Sequence, residues 1–328
     1  MIDRRRLLAT GGAAISSVLL SGQGWASPAG SLKVASLKFG SLSWLLETIR
    51  AEGIDAKSGL RLEIIDVATN HAGPVALLAN EADIIVSDWT WAMRQRAKGD
   101  KLKFAPYSSA LGALMVPKDS PVKSIADLQG KKLGVAGTAI DKSWLLLRAY
   151  GKKTLGRDMA EVATPVFGAA PLLTEEIKNG RLDAVLNFWT FAARLKGAGY
   201  RQILGVGEIF KELGIEPVPP LVGFIWKEET AATKGKEIAA FLSAANEANA
   251  ILASSDLSWE RIKGLVRAAD DTELAAMKAY YRSGITRPWS AAETASAEKL
   301  TALLIEAGDK ELMGAGTTFD AKLFHIPG

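Results

Sequence analysis

The sequence predicts an α/β protein of two lobes, each a mostly parallel sheet flanked by helices, with two crossing strands joining them. Three observations predict this. The chain has 328 residues, more than a single core of about 100 to 200 residues usually serves. Short β-branched runs alternate with helical stretches in two successive series, the pattern of parallel sheets covered by helices. A twelve-residue segment recurs at an offset of 100 residues, one copy in each series.

The elements follow in order. Arg4, Arg5 and Arg6 precede an apolar stretch from Leu7 to Leu20, and Gly24-Trp25-Ala26 offers small residues for cleavage. That is the layout of a secretory signal, so residues 1–26 are expected to be removed and the exported protein to begin at Ser27. Paired arginines before two leucines suit twin-arginine export as well as the general route. The first series then reads as a strand over Leu32–Phe39, a helix over Ser43–Glu52, a strand over Arg61–Val67, a helix from Pro74, a strand over Asp83–Val86 and a helix over Thr90–Ala97. Gly112–Val116 and Val222–Trp226 are expected to be the crossing strands, with hinge bending near Met115–Lys118 and Ile225–Glu228. The second series has strands at Lys132–Ala136, Glu161–Phe167 and Asp183–Phe188. This divides the chain into a first lobe of residues 27–114 and 226–328 and a second of residues 115–225. Apolar periodicity places four helices at Lys236–Leu252, Trp259–Ala268, Glu273–Arg282 and Ala292–Ala307, expected to cover the first lobe. Ser290 and Glu293 form a capping-box pattern before the last of them.

Composition narrows the function. Hydrophobic residues make up 48% and charged residues 23%, as in ordinary globular domains. The formal charge of +4 falls to +2 without the leader, which carries three arginines and one aspartate, and no basic cluster suggests nucleic acid. There is no cysteine, and His71 and His325 are the only histidines, so neither a metal centre nor a thiol-based cofactor site is expected.

The repeat carries the functional argument. Residues 83–94 and 183–194 each read as an aspartate, three apolar residues, two variable positions, then Trp-Thr-aromatic-Ala-x-Arg. Each Trp-Thr pair falls where a parallel strand ends and a helix begins, the edge at which such sheets bind ligands. Trp89 and Trp189 are therefore expected to be opposed faces of a cleft, with Thr90 and Thr190 capping the helix starts. The alternative is that both tryptophans fill cores. Loops at other strand ends add Ser41, Trp44, His71, Asp88, Thr138 and Asp141 as candidate ligand contacts, each of which is equally placed to be a helix cap.

With these pieces assembled, the chain resembles periplasmic solute-binding proteins of the nitrate, sulfonate and taurine group of ABC importers, some of whose relatives bind thiamine-precursor pyrimidines. The resemblance rests on the stretch from Val122 to Val135, VKSIADLQGKKLGV, and on Asn179-Gly180-Arg181-Leu182-Asp183-Ala184, and extends from about Leu32 to the C-terminus. It implies the type II periplasmic-binding-protein fold closing on a small molecule, a permease and ATPase in the inner membrane as partners, a periplasmic location, a monomer and no cofactor or catalysis. A sulfonate, an amino-sulfonate and a flat heterocyclic or aromatic solute all remain open, although Asp88 and Asp141 are unfavourable beside a bare anion. Two other readings are a periplasmic sensor without transport and a same-fold, pyridoxal-dependent enzyme of pyrimidine synthesis, for which His71 and Lys142 would be the histidine and Schiff-base lysine.

Overall fold

The computed structural model describes residues 30–38, 40–69, 71–314 and 317–326. The leader and the expected new N-terminus at Ser27 lie outside the described residues. Among the described residues, no helix is long and apolar enough to cross a membrane.

The first series is β1 (Gly30–Leu37), α1 (Ser41–Ala51), α2 (Ile54–Lys57), β2 (Leu60–Val67), α3 (Ala72–Leu78), β3 (Ile84–Asp88), α4 (Trp89–Ala97) and β4 (Leu102–Ser108). The second is β5 (Ala113–Val116), β6 (Lys132–Ala136), α5 (Lys142–Leu155), α6 (Met159–Val162), β7 (Thr164–Gly168), α7 (Ala170–Lys178), β8 (Ala184–Asn187), α8 (Trp189–Gly197), β9 (Arg201–Gly205) and α9 (Val206–Glu212). The chain ends with β10 (Val222–Lys227), α10 (Glu228–Ser254), α11 (Asp256–Val266), α12 (Asp271–Ser283) and α13 (Ala291–Met313).

These strands form two five-stranded sheets, ordered β2-β1-β3-β10-β4 and β7-β6-β8-β5-β9. In each, the first three strands are parallel and the fourth runs against both its neighbours. The two orders have the same plan. The fourth place in each sheet is taken by the strand that has just arrived from the other lobe, β10 in the first and β5 in the second. Helices cover the parallel strands, so the expected architecture holds.

The strands expected to be crossings are thus integral to their sheets. Leu114, Met115 and Val116 are completely buried, and Phe224, Ile225 and Trp226 nearly so. Each strand is hydrogen-bonded along both edges, which leaves it no freedom to bend. The chain changes sheet just before them, between Ser108 and Ala113 and between Glu212 and Val222. The lobe limits expected at 114/115 and 225/226 fall inside β5 and β10, as do Met115–Val116 and Ile225–Lys227 of the two segments expected to bend. Gly112 lies on the first of these passages. A Cβ there would sit 2.1 Å from the carbonyl oxygen of Asn187, so only glycine allows so close an approach.

The C-terminal helices serve both lobes rather than the first alone. α10 and α11 pack on α1, whereas α12 lies along α8 and α13 against α5. The Ser290 pattern does start α13: the Glu293 carboxylate accepts the Ser290 backbone N–H at 2.8 Å, and the Ser290 hydroxyl accepts the N–H of Ala292 at 3.1 Å. One apolar core runs through both lobes and includes Trp89, Leu114, Trp144 and Phe210.

Candidate ligand cleft

The two halves of the repeat occupy equivalent places, as the third strands β3 and β8. Their leading aspartates act identically. Asp83 accepts the backbone N–H of Lys33 at 2.8 Å, and Asp183 that of Lys132 at 2.8 Å, each carboxylate tying its strand to the neighbouring parallel strand, β1 or β6. Beyond the strands the copies diverge. Asp88, the last residue of β3, is the N-cap of α4 and accepts the N–H of Trp91 at 2.9 Å and the hydroxyl of Thr90. The matching residue in the second copy is Phe188, which is 37% exposed and caps α8 without a side-chain hydrogen bond. One lobe therefore offers a carboxylate where the other offers a phenyl ring. The expected caps, Thr90 and Thr190, cap neither helix, because Thr90 turns its hydroxyl to Asp88.

The tryptophans diverge too. Trp89 is fully buried, edge-on to Phe324 with centroids 5.9 Å apart, and its indole N–H has no partner. Trp189 is only partly buried and stands perpendicular to Trp44 of α1 at 6.0 Å, next to Tyr281 at 6.4 Å. The pair of opposed aromatic faces expected from the repeat is thus not formed. Phe324, arriving from the C-terminus, closes over Trp89, while nothing equivalent reaches Trp189 and it crosses to the other lobe.

At the carboxyl edge of the second sheet, Asp141 caps α5 by accepting the N–H of Ser143 at 2.8 Å. The next residue, Lys142, reaches across to the first lobe, with its Nζ 3.4 Å from Asp88 Oδ2. Both side chains are about one-fifth to one-quarter exposed, at 22% and 24%. Burial pushes the Asp88 carboxyl up, but the Lys142 ammonium, the Thr90 hydroxyl and the Trp91 N–H outweigh it, and the net shift is downward. For Asp141 burial wins over the same ammonium, and its carboxyl is raised. Lys142 thus pairs with Asp88 across the lobes, and its charge also acts on Asp141.

The other candidates have different surroundings. Ser41 opens α1, and its hydroxyl oxygen accepts the buried Tyr107 hydroxyl at 3.0 Å, a group whose pKa burial raises. Trp44 is buried, with its indole N–H on the Leu265 carbonyl at 3.3 Å, so it supports the wall from behind. His71 is exposed at the start of α3 and caps nothing with its side chain. Thr138 is exposed in the loop before α5, and Thr190 is partly exposed on α8. Sequence reasoning missed the apolar rim. Ile140, Phe167, Leu172 and Phe188 are exposed large hydrophobic residues at strand ends and helix starts of the second lobe's carboxyl edge. Four such side chains gathered at one sheet edge depart from the scatter of single exposed apolar residues normal on a surface. Among the described residues, no group of three or more histidine, aspartate or glutamate side chains is placed to hold a metal ion.

The comparisons agree with this architecture. Residues 52–255 match the family model described as NMT1/THI5 like. A protein of Haemophilus influenzae described as "Putative thiamine biosynthesis protein" is 26% identical over 215 residues, 64% of this chain. The match spans 65% of that relative's length. Among solved structures, the periplasmic aliphatic sulphonate binding protein SsuA of Escherichia coli superposes with a TM-score of 0.69 at 17% identity, covering 92% of this chain and 98% of that one. The desulfurization enzyme DSZB superposes with a TM-score of 0.56 at 14% identity, covering 89% and 98%. The fold is thus shared by carriers and by at least one enzyme, and the family model, spanning well over half of the sequence, places this chain in the NMT1/THI5-like family.

Proposed function

We propose that this protein is a periplasmic solute-binding component of an ABC importer, handing its ligand to a permease and ATPase in the inner membrane. Its ligand is a small organic solute with a flat or apolar body and a protonated nitrogen. The observation that carries this reading is the charge arrangement at the cleft: Asp88 pairs with Lys142 across the lobes, and Asp141, next to Lys142 in the chain, caps α5 at the same sheet edge, beside a rim of exposed Phe188, Ile140, Phe167 and Leu172. A bare oxyanion entering this space faces two carboxylates, and the Lys142 ammonium is already paired with Asp88. A cationic nitrogen suits the carboxylates, and the rim covers the apolar body, the combination of apolar walls and few polar groups found in small-molecule sites.

The same geometry weighs against the enzymatic reading. The candidate Schiff-base lysine, Lys142, is engaged in an ion pair with Asp88 of the other lobe. The candidate histidine, His71, is exposed on the other lobe. These residues do not fit a pyridoxal site.

A thermal-shift screen of the mature protein tests the proposal, with aromatic amines and aminopyrimidines, amino-sulfonates, and plain alkanesulfonates as three arms. A ligand present at 100 times its dissociation constant raises stability by about 2.7 kcal/mol. The amine arms are expected to stabilise and the plain sulfonates not to. Asp88→Asn should then weaken the best amine about 10-fold or more, since hydrogen bonds to charged groups contribute about 1.5 to 3 kcal/mol. Stabilisation by plain sulfonates alone overturns the ligand class, and an aldimine absorption band on adding pyridoxal phosphate would overturn the carrier reading.

A further inference from the structure

A cavity whose lining includes none of Asp88, Asp141 and Lys142 lies where the chain passes between the lobes. It measures about 560 Å³, within the roughly 300 to 1,000 Å³ typical of small-molecule sites. The second lobe supplies Lys196 of α8, Gln202 of β9 and Lys211 of α9, α12 supplies Tyr280, and Leu111 and Val218 line it from the two passages between sheets. Its walls therefore come from both lobes.

Its polar groups are mostly donors. Lys196 stands over the ring of Tyr280 at 5.7 Å and forms no ion pair among the described residues. The Lys211 side chain forms neither a hydrogen bond nor an ion pair among them, and is exposed. The Tyr280 hydroxyl donates to Gln202 Oε1 at 2.6 Å, and burial raises its pKa, so it stays protonated. The one carboxylate in the lining, Glu208, is engaged by the backbone N–H of Gly205 at 2.5 Å. Two ammonium groups without carboxylate partners line a cavity that also offers an aromatic ring and aliphatic walls.

We infer that this cavity binds an organic oxyanion, an apolar body bearing a sulfonate, carboxylate or phosphate, held by Lys196 and Lys211 as point charges with its body against Tyr280, Leu111 and Val218. It is the electrostatic opposite of the cleft, and the inference stands independently of the cleft's ligand.

Calorimetric titration of the mature protein in Tris chloride, free of sulfonate buffers, tests it. Benzenesulfonate, benzoate and phenyl phosphate serve as probes and distinguish the three head groups. At least one is expected to bind, with affinity falling as chloride rises. Lys211→Gln and Lys196→Gln should each weaken it at least fivefold, and Asp88→Asn should change it less than twofold. Lys211 holds nothing else in place, so its loss reads binding rather than folding, and an unchanged melting temperature checks this. The inference is overturned if none of the three probes binds, if binding survives the double lysine variant, or if Asp88→Asn removes it and so places the probe in the cleft.

Discussion

Asp158 is the N-cap of α6, accepting the N–H of Ala160 at 3.0 Å, and it is gripped by the Arg148 guanidinium through contacts of 2.8 and 2.9 Å, with Lys152 at 3.3 Å. The Arg148 hydrogen bonds, aided by that N–H, hold its carboxyl down at about 2. Because the folded value is depressed, the stabilisation is complete above the unfolded value of 3.8 and is lost as pH falls towards 2, where the native carboxylate also protonates. The shift corresponds to on the order of 2 kcal/mol. Chemical denaturation of wild type and Asp158→Asn should therefore differ by about that much at pH 7 and converge near pH 2, and a constant difference across that range would exclude the ionic origin. In the cleft, single residues were legible only as far as local sequence reaches. Asp88 and Asp141 stand out as polar residues at strand ends, and both are helix caps beside the inter-lobe contact. That Lys142 would pair with Asp88, 54 positions earlier and on the other sheet, depends on how the lobes meet, which no local pattern encodes. Trp89 and Trp189 share the same motif and end in different surroundings, because Phe324 meets one and Trp44 the other.

At the scale of elements, the C-terminal segment acts as a strap across the first lobe. The N–H of His325 is bonded to the Phe104 carbonyl at 2.8 Å, pairing the segment with edge strand β4. Phe324 stacks on Trp289 at 4.3 Å and meets Trp89 and Phe104 edge-on at 5.9 and 5.8 Å. Replacing Phe324 by alanine should cost about 3 to 5 kcal/mol, as for other buried phenylalanines, and expose Trp89. The denaturation midpoint reads the first effect and a red-shifted, more quenchable tryptophan emission the second. A loss below about 1 kcal/mol would mean that the strap contributes little to the core. Most elements that build the parallel halves of the sheets were readable, because buried parallel strands are continuous apolar runs such as Ile84–Val86 and Ala184–Leu186. The strands that were missed are β4 and β9. β4 contains Pro106, which an edge strand tolerates and which breaks the expected pattern, and β9 opens with Arg201-Gln202 and offers only Ile203-Leu204 as an apolar run. The helix expected from Lys236 begins earlier, at Glu228, with a break at Lys234 where φ is −124° and ψ is 31°. The periodicity restarts after that break, which is why only the second segment was visible.

At the scale of the molecule, the contacts between the lobes include the Asp88–Lys142 ion pair, the perpendicular Trp189–Trp44 rings, and the packing of α8 along α12. The last is the most extensive. Arg194 of α8 donates to the carbonyls of Val266 and Arg267 at 2.9 Å each, satisfying the free carboxyl end of α11, and pairs with Glu273 of α12. One turn on, Gly197 brings α8 against the backbone of α12. A Cβ at Gly197 would lie 2.6 Å from the Cα of Glu273, a contact that backbone cannot yield without separating the helices. Gly197→Ala is therefore expected to push α8 away from α12 while leaving each sheet intact, since Gly197 is the last residue of its helix and alanine favours helix over glycine by about 1 kcal/mol. A more open molecule follows, with a larger radius of gyration by solution scattering in the absence of ligand. Weaker ligand affinity follows as well, because part of the binding energy must restore closure and the apparent dissociation constant rises as the closed fraction falls. Saturating ligand should bring the variant's radius of gyration back towards that of the wild type. An unchanged radius together with unchanged affinity would show that the α8–α12 contact does not hold the lobes together, and would leave the Asp88–Lys142 pair and the Trp189–Trp44 rings to do so.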